Sequence, residues 1–207
     1  VLVVCPKSLM YSAWVDDIMA TCIGRRHCVL YGDSKRRKEL ARRDDTEIDI
    51  INFDGVEIIS ETLAVNNYDL IIVDESTAYK DPSTKRWKAL SKLITPQTRV
   101  WALTGTPTPQ GAMDAYGQGK LVNPARIPRT KTAYRDMVQF KVSTFIWRDK
   151  NGWQDTVNHL LQPSIYIRKA DCLDLPPVTR SYLDVGLSKA QTLATKAMVD
   201  DMVANFD

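Results

Sequence analysis

The chain reads as an α/β fold: a parallel sheet with helices on both faces, followed by a mostly helical insertion and C-terminal segment. Three observations predict this. Short apolar runs with little internal alternation recur through the first half, as strands buried on both faces require. A helix-like stretch follows each run, as a crossover between parallel strands requires. After Pro109 the spacing turns mostly helical.

Val1 to Cys5 is the first strand, and Leu9 to Cys22 has helical spacing with Trp14, Ile18 and Met19. Cys28 to Tyr31 is a second strand, stopped by Gly32-Asp33; Ser34 then caps a basic helix over Lys35 to Arg43. Ile48 to Asn52 is a strand and Val56 to Val65 a helix. Asp69 to Asp74 is a strand and Thr84 to Ile94 a helix, and Arg99 to Leu103 is the fifth strand. Helices are predicted near 112–122, 131–140 and 153–161, with a further strand over Ser164 to Ile167. Leu175-Pro-Pro177 is a rigid break, and Ser188 with Gln191 forms a capping box opening a last helix. There is no internal repeat.

At 207 residues, 44% of them hydrophobic, the chain can bury one good core with an appended subdomain. A formal net charge of +3 permits nucleic-acid binding without arguing strongly for it. No apolar run reaches the roughly 18 residues of a membrane span. Cys5, Cys22, Cys28 and Cys172 lack Cys-x-x-Cys spacing and only two histidines accompany them, so no zinc site is expected. Reduced thiols point to an intracellular protein. The chain starts inside a strand pattern and stops inside a helical one, which reads as a fragment.

Two motifs carry chemistry. In open parallel sheets ligands bind beyond the carboxyl ends of strands, and Asp74-Glu75 stand at such an end, after Leu70-Ile-Ile-Val73. Magnesium takes oxygen ligands and keeps several waters, so one carboxylate can hold it against nucleotide phosphates while a second orients the attacking water. The bland alternative is that Asp74 to Thr77 cap the next helix. The second motif tips that balance: Thr104-Gly-Thr-Pro107 ends the neighbouring strand, with two hydroxyls, a glycine that allows close approach and a stiffening proline.

The chain resembles the first RecA-like, P-loop NTPase-type domain of superfamily-two helicase-like ATPases, most closely the Swi/Snf-type DNA translocases. Val1 to Ser8 with Trp14 is similar to motif Ia, Ile51-Asn-Phe-Asp-Gly55 to motif Ib, Asp74-Glu-Ser-Thr77 to motif II, and Leu103-Thr-Gly-Thr-Pro107 to motif III. Ile167-Arg-Lys169 with Leu173-Asp-Leu-Pro-Pro177 resembles the family's "LPP" tail, and Val185-Gly-Leu-Ser188 with Gln191 the crossing to a second RecA-like domain. The resemblance implies ATP and magnesium as cofactors of a parent protein and double-stranded DNA as its partner. It implies that Asp74 holds magnesium through water, Glu75 activates the hydrolytic water, and Thr104, Gly105 and Thr106 couple nucleotide state to nucleic acid. Pro6, Lys7, Ser8, Asn52 and Asp54 would lie along the DNA-backbone track. It divides the chain into a core (1–110), a helical subdomain (111–177) and a linker with a first helix toward the second domain (178–207). The compact spacing is more like that of bacterial or phage members. Thr77 stands where many relatives carry His, so a ring-mediated link to motif III must become a hydroxyl contact; Gln110 stands where remodellers carry Asn.

No Walker A loop occurs in the 207 residues: the only Gly-Lys pair, Gly119-Lys120, lies in a helical stretch with Asp114 at the first glycine position. The loop is expected upstream of Val1, so these residues alone should neither bind ATP tightly nor hydrolyse it. The missing strand should leave an unpaired edge near the motif III strand, open to self-association. The alternative function is a non-catalytic lobe that binds nucleic acid or a partner. The basic helix with Lys35, Arg36, Arg37, Lys38, Arg42 and Arg43 reads as a solvated face rather than a phosphate contact. For Arg126, Arg129, Lys131 and Arg135 both readings stay open. The five tryptophans are assigned to packing.

Overall fold

The computed structural model describes residues 1–167 and 179–201. Five parallel strands form one sheet: β1 (Leu2–Cys5), β2 (His27–Val29), β3 (Ile48–Asn52), β4 (Leu70–Val73) and β5 (Arg99–Ala102), in the order β2-β3-β1-β4-β5. Period-two alternation sends Leu2 and Val4 to one face and Val3 and Cys5 to the other. The first face packs against α2 (Ser34–Ala41), α3 (Phe53–Val65) and α4 (Lys85–Ser91), burying Val56, Ile59, Leu63 and Leu90 with Ile51, Ile71 and Val73. The second packs against Met10, Trp14 and Ile18.

That second face is covered only over part of the sheet. Ile72 pairs with Trp101 in register, yet Trp101 is 56% exposed and Leu103 42%. The helical cover expected on both faces is incomplete at β5 among the described residues, and Trp101 does not serve core packing. β5 is also the end of the sheet. Arg99, Trp101 and Leu103 turn their amides or carbonyls toward β4, leaving those of Val100 and Ala102 on the open edge.

Several boundaries differ from the sequence prediction for local reasons. The first helix opens with a π-helical turn, Met10–Val15, before α1 (Asp16–Thr21). Asp33, not Ser34, caps α2: its Oδ1 accepts from the Arg36 amide at 2.7 Å. α3 begins at Phe53, three residues early, so the Phe53-Asp54-Gly55 segment is its first turn rather than a loop. Ser76–Tyr79 is a 3-10 turn that caps nothing; Thr84 caps α4 through the Trp87 amide at 3.2 Å.

After Pro109 come a 3-10 turn (Ala112–Asp114), α5 (Ala115–Val122), α6 (Lys131–Val138) and α7 (Trp153–Leu160) around a small core of Ala112, Tyr116, Ile127, Tyr134, Val138 and Val157. An antiparallel hairpin, β6 (Gln139–Lys141) with β7 (Trp147–Asp149), was not predicted. Its strands are only three residues long, too short for alternation to register. Residues 1–164 form one compact unit and 165–207 another. Ser164 to Ile167 is exposed and not a strand, having no ladder partner among the described residues. In the second unit, α8 (Lys189–Asp201) starts at the predicted capping box: the Ser188 amide donates to Gln191 Oε1 at 2.9 Å and the Gln191 amide to Ser188 Oγ at 3.3 Å. Leu175-Pro-Pro177 lies outside the described residues, as does most of the segment compared with the "LPP" tail.

Candidate functional site

The carboxyl ends of all five strands line one edge of the sheet, and the residues singled out from the sequence sit there. Strand order divides them. β4 and β5 are neighbours, so Asp74-Glu75 and Thr104-Gly-Thr106 share one end of the edge. β1, β3 and β2 carry Pro6-Lys7-Ser8, Asn52-Phe-Asp54 and Tyr31 toward the other.

Asp74 is held on two sides. Its Oδ1 accepts from the Glu75 amide at 2.9 Å, and its Oδ2 from the Trp14 indole Nε1 at 3.0 Å. Trp14 reaches it from the π-helical turn, a deviation that frequently marks functional sites. Cys5 lies beneath in the core; burial, reinforced by the Asp74 charge, pushes its thiol up to about 12, so it stays protonated and inert. Glu75 is exposed and takes the left-handed conformation (φ 48°, ψ 51°). A non-glycine residue held there costs roughly 1–3 kcal/mol, a strain that clusters at functional sites. Two hard oxygen donors at an open strand end suit a magnesium ion that keeps its waters.

The second motif does not meet the first through its hydroxyls. Thr104 Oγ1 accepts only from the Thr106 amide at 3.2 Å, a local turn, and nothing lies within 4 Å of where a Gly105 Cβ would stand. Thr77 makes no replacement for a histidine link either. The contact comes from the residue before it: the Ser76 amide donates to the Leu103 carbonyl at 3.0 Å, and Ser76 Oγ donates to Gln118 Oε1 at 2.7 Å. Gln118 Nε2 then donates to the Pro107 carbonyl at 2.7 Å and the Asp114 carbonyl at 2.8 Å. Alongside, Lys80 Nζ meets Asp114 Oδ1 at 3.2 Å and donates to Gln110 Oε1, while the Gln110 amide donates to Asp114 Oδ2 at 2.8 Å. Gln118 carried no sequence signal beyond lying beside Gly119-Lys120, and those residues are indeed within a helix.

At the other end, Lys7 Nζ stands 5.1 Å over the Tyr31 ring and the Arg37 guanidinium 5.4 Å from the same ring. The adjacent lysine holds the Tyr31 phenol below its ordinary range. Arg37 is not part of a solvated face: it is buried, donating to the carbonyls of Leu30 (2.6 Å) and Gly32 (2.8 Å) and to Asn52 Oδ1 (3.0 Å). That lock leaves Asn52 only 6% exposed, which removes its side chain from the expected backbone track. It also explains Gly55, where a Cβ would sit 2.4 Å from Arg37 Nη1. Asp54 is exposed and paired with Arg86 at 3.0 Å, so the cation offered here is Arg86, stacked 5.2 Å over Phe53. A carboxylate beside phosphate needs such a partner.

No group of three or more His, Cys, Asp or Glu poised for a metal occurs among the described residues, and no described helix is long and apolar enough to cross a membrane. Cys5, Cys22 and Cys28 are free thiols.

Comparison with known proteins draws these features together. The model of the SNF2-related domain matches residues 1–205. Putative protein p41 of Acyrthosiphon pisum secondary endosymbiont phage 1 is 31% identical over 145 residues, 64% of this chain and 31% of that protein. A Xenopus laevis SWI/SNF-related matrix-associated actin-dependent regulator of chromatin subfamily A-like protein 1 is 31% identical over 154 residues, 72% of this chain and 16% of that protein. The chain thus spans under a third of the curated relatives it matches. Among solved structures, the Sulfolobus solfataricus SWI2/SNF2 ATPase core in complex with dsDNA superposes with a TM-score of 0.66 at 23% identity, over 84% of this chain and 36% of that one. The fold is RecA-like.

Proposed function

The chain belongs to the SNF2-related domain family, and from that premise we propose that it is the acid-and-coupling part of an ATP-driven motor that moves along double-stranded DNA. The observation that carries this reading is the adjacency of Asp74-Glu75 and Thr104-Gly-Thr106 at neighbouring strand ends, joined by the Ser76 amide and the Leu103 carbonyl. Asp74, oriented by Trp14 and by the Glu75 amide, would hold magnesium through water; the metal supplies charge that offsets the phosphates. Glu75, exposed beside it, orients the attacking water and accepts its proton. Thr104, Gly105 and Thr106 report the nucleotide state, the open space over Gly105 leaving room for a ligand's approach.

Lys7, Pro6 and Ser8 at the end of β1, with the Asp54–Arg86 pair, form the backbone track, contacting phosphate without reading sequence. Residues 1–110 serve as the core, 111–177 as the helical subdomain and 178–207 as the passage to a second RecA-like lobe, in an intracellular protein. The phosphate-gripping loop lies outside these residues. The open edge of β5 lets the isolated chain self-associate, and light scattering that gives a strict monomer would remove that point.

The test is a magnesium–nucleotide titration. The 207 residues alone should show neither micromolar affinity nor turnover. A longer chain bearing a Gly-Lys-Thr loop and a second lobe should hydrolyse ATP in response to duplex DNA, and Glu75→Gln should abolish hydrolysis while sparing nucleotide binding. Duplex binding with no turnover in that longer chain would favour a non-catalytic binding lobe instead.

A further inference from the structure

We propose that Gln118 is the positioning residue that ties the acid loop to the Thr-Gly-Thr-Pro loop, a role resting on the motor reading above. The side chain is 4% exposed and lies in α5, outside the motif segments compared above. Its amide is used at both ends. Oε1 accepts from Ser76 Oγ, next to Glu75, and Nε2 spends both hydrogens on the carbonyls of Pro107 and Asp114. Ser76 is itself 2% exposed, so neither bond competes with bulk water.

The helix that carries Gln118 cannot slide independently of the acid loop. The Gly117 amide donates to the Lys80 carbonyl at 3.1 Å and the Trp87 indole donates to the Gly117 carbonyl at 2.9 Å. The Lys80–Asp114–Gln110 contacts run parallel to the Ser76–Gln118–Pro107 contacts and join the same three segments. Displacing Ser76 therefore pulls on Gln118, and Gln118 pulls on the carbonyl of Pro107, one residue beyond Thr106. Since the threonine hydroxyls of the second motif do not reach the acid loop, this buried side chain supplies the side-chain half of the link; the Ser76–Leu103 backbone bond supplies the rest.

The experiment is a double-mutant cycle read by nuclear magnetic resonance on the 207-residue chain, with no nucleotide present. Ser76→Ala should move the amide resonances of Gly105, Thr106 and Thr108, residues its side chain does not touch. In a Gln118→Met background, which keeps volume and removes the polar ends, the same Ser76→Ala change should move them markedly less, leaving only what the Ser76–Leu103 backbone bond transmits. Gln118→Glu, of equal size but unable to donate to two carbonyls when ionised, should behave like Gln118→Met. Equal shifts in both backgrounds would overturn the tie. Should Gln118→Met not fold, Ser76→Ala alone decides it: unchanged Gly105 and Thr106 resonances refute the proposal. In a longer chain with ATP turnover, Gln118→Met should lower kcat roughly tenfold with little change in KM for ATP, as loss of one positioning contact would. If that chain shows no turnover at all, the motor reading falls, while the resonance cycle still judges the tie by itself.

Discussion

Two glycines in α5, two positions apart, should respond unequally to alanine. A Cβ on Gly117 would stand 2.4 Å from the Lys80 carbonyl oxygen and 2.5 Å from that of Tyr79, both backbone atoms. Ordinary contact requires a retreat of about 1 Å, which the turn at 76–79 and the helix must share. That retreat breaks the Gly117–Lys80 and Trp87–Gly117 bonds, each worth about 1 kcal/mol net, and adds an overpacking cost of about 1–3 kcal/mol. The helical preference of alanine returns about 1 kcal/mol. Gly117→Ala should therefore destabilise by about 2–4 kcal/mol, lowering Tm by roughly 5–15 °C for a chain of this length. A Cβ on Gly119 meets instead side-chain atoms only, Ile127 Cδ1 at 2.6 Å and Cγ1 at 2.8 Å and Leu161 Cδ2 at 3.3 Å. Side chains can repack where two backbone carbonyls cannot, and no hydrogen bond is lost, so Gly119→Ala should cost only about 0–2 kcal/mol. Urea unfolding followed by tryptophan fluorescence measures both. Equal costs, or a neutral Gly117→Ala, would refute the close seat of α5 on the acid-loop turn, and with it the geometry assigned to Gln118.

Three further outcomes follow from the interior. Tyr79 is fully buried, edge-on to Phe53, with no hydrogen-bond partner for its hydroxyl among the described residues; Tyr79→Phe should raise stability by about 1–2 kcal/mol, and a lower urea midpoint would mean the hydroxyl is satisfied. Trp14→Phe and Asp74→Ala should be coupled by about 1–2 kcal/mol in a double-mutant cycle of stability, whereas strict additivity would deny the indole–carboxylate bond. Asp49 is buried on β3, accepting from Tyr68 (2.7 Å) and Thr46 (3.1 Å); burial raises its carboxyl above the ordinary range despite those bonds. A raised acid stabilises the fold at pH below its unfolded value and loses that contribution as pH climbs through its folded value. The Tm advantage of Asp49→Asn over the parent should therefore grow from pH 4 to pH 7, and parallel curves would contradict the assignment.

The strand succession and both motifs were legible because they rest on short continuous apolar runs and on residue types that end them in loops. What escaped was of two kinds. Short irregular pieces such as the β6–β7 hairpin and the 76–79 turn lack enough residues for a pattern to accumulate. The other kind is the side chain that serves a motif from outside it. Arg37 read as one more cation on a basic helix, yet it closes the ends of β2 and β3 through Leu30, Gly32 and Asn52. Gln118 drew no reading of its own, falling only within the helix predicted near 112–122. Such residues touch protein rather than ligand, so their type announces nothing until the fold shows what they hold.

Their placement bears on how the two halves of the sheet edge can communicate. Trp14 lies six residues past Ser8, in the segment that leaves the proposed backbone track, and its indole ends on Asp74. Two residues on, Ser76 hands over to Gln118, which ends on Pro107. The acid loop is thus gripped from the β1 side by one aromatic donor and from the β5 side by one amide. In the proposed motor, a shift of duplex phosphate against Lys7 and Ser8 would have a covalent path into the π-helical turn and a hydrogen bond from there to Asp74, the carboxylate proposed to hold magnesium. On that proposal, coupling of track to nucleotide would require no new contact between Thr104 or Thr106 and the acids. It requires that Trp14 and Gln118 keep hold of the same four-residue loop, Asp74 to Thr77.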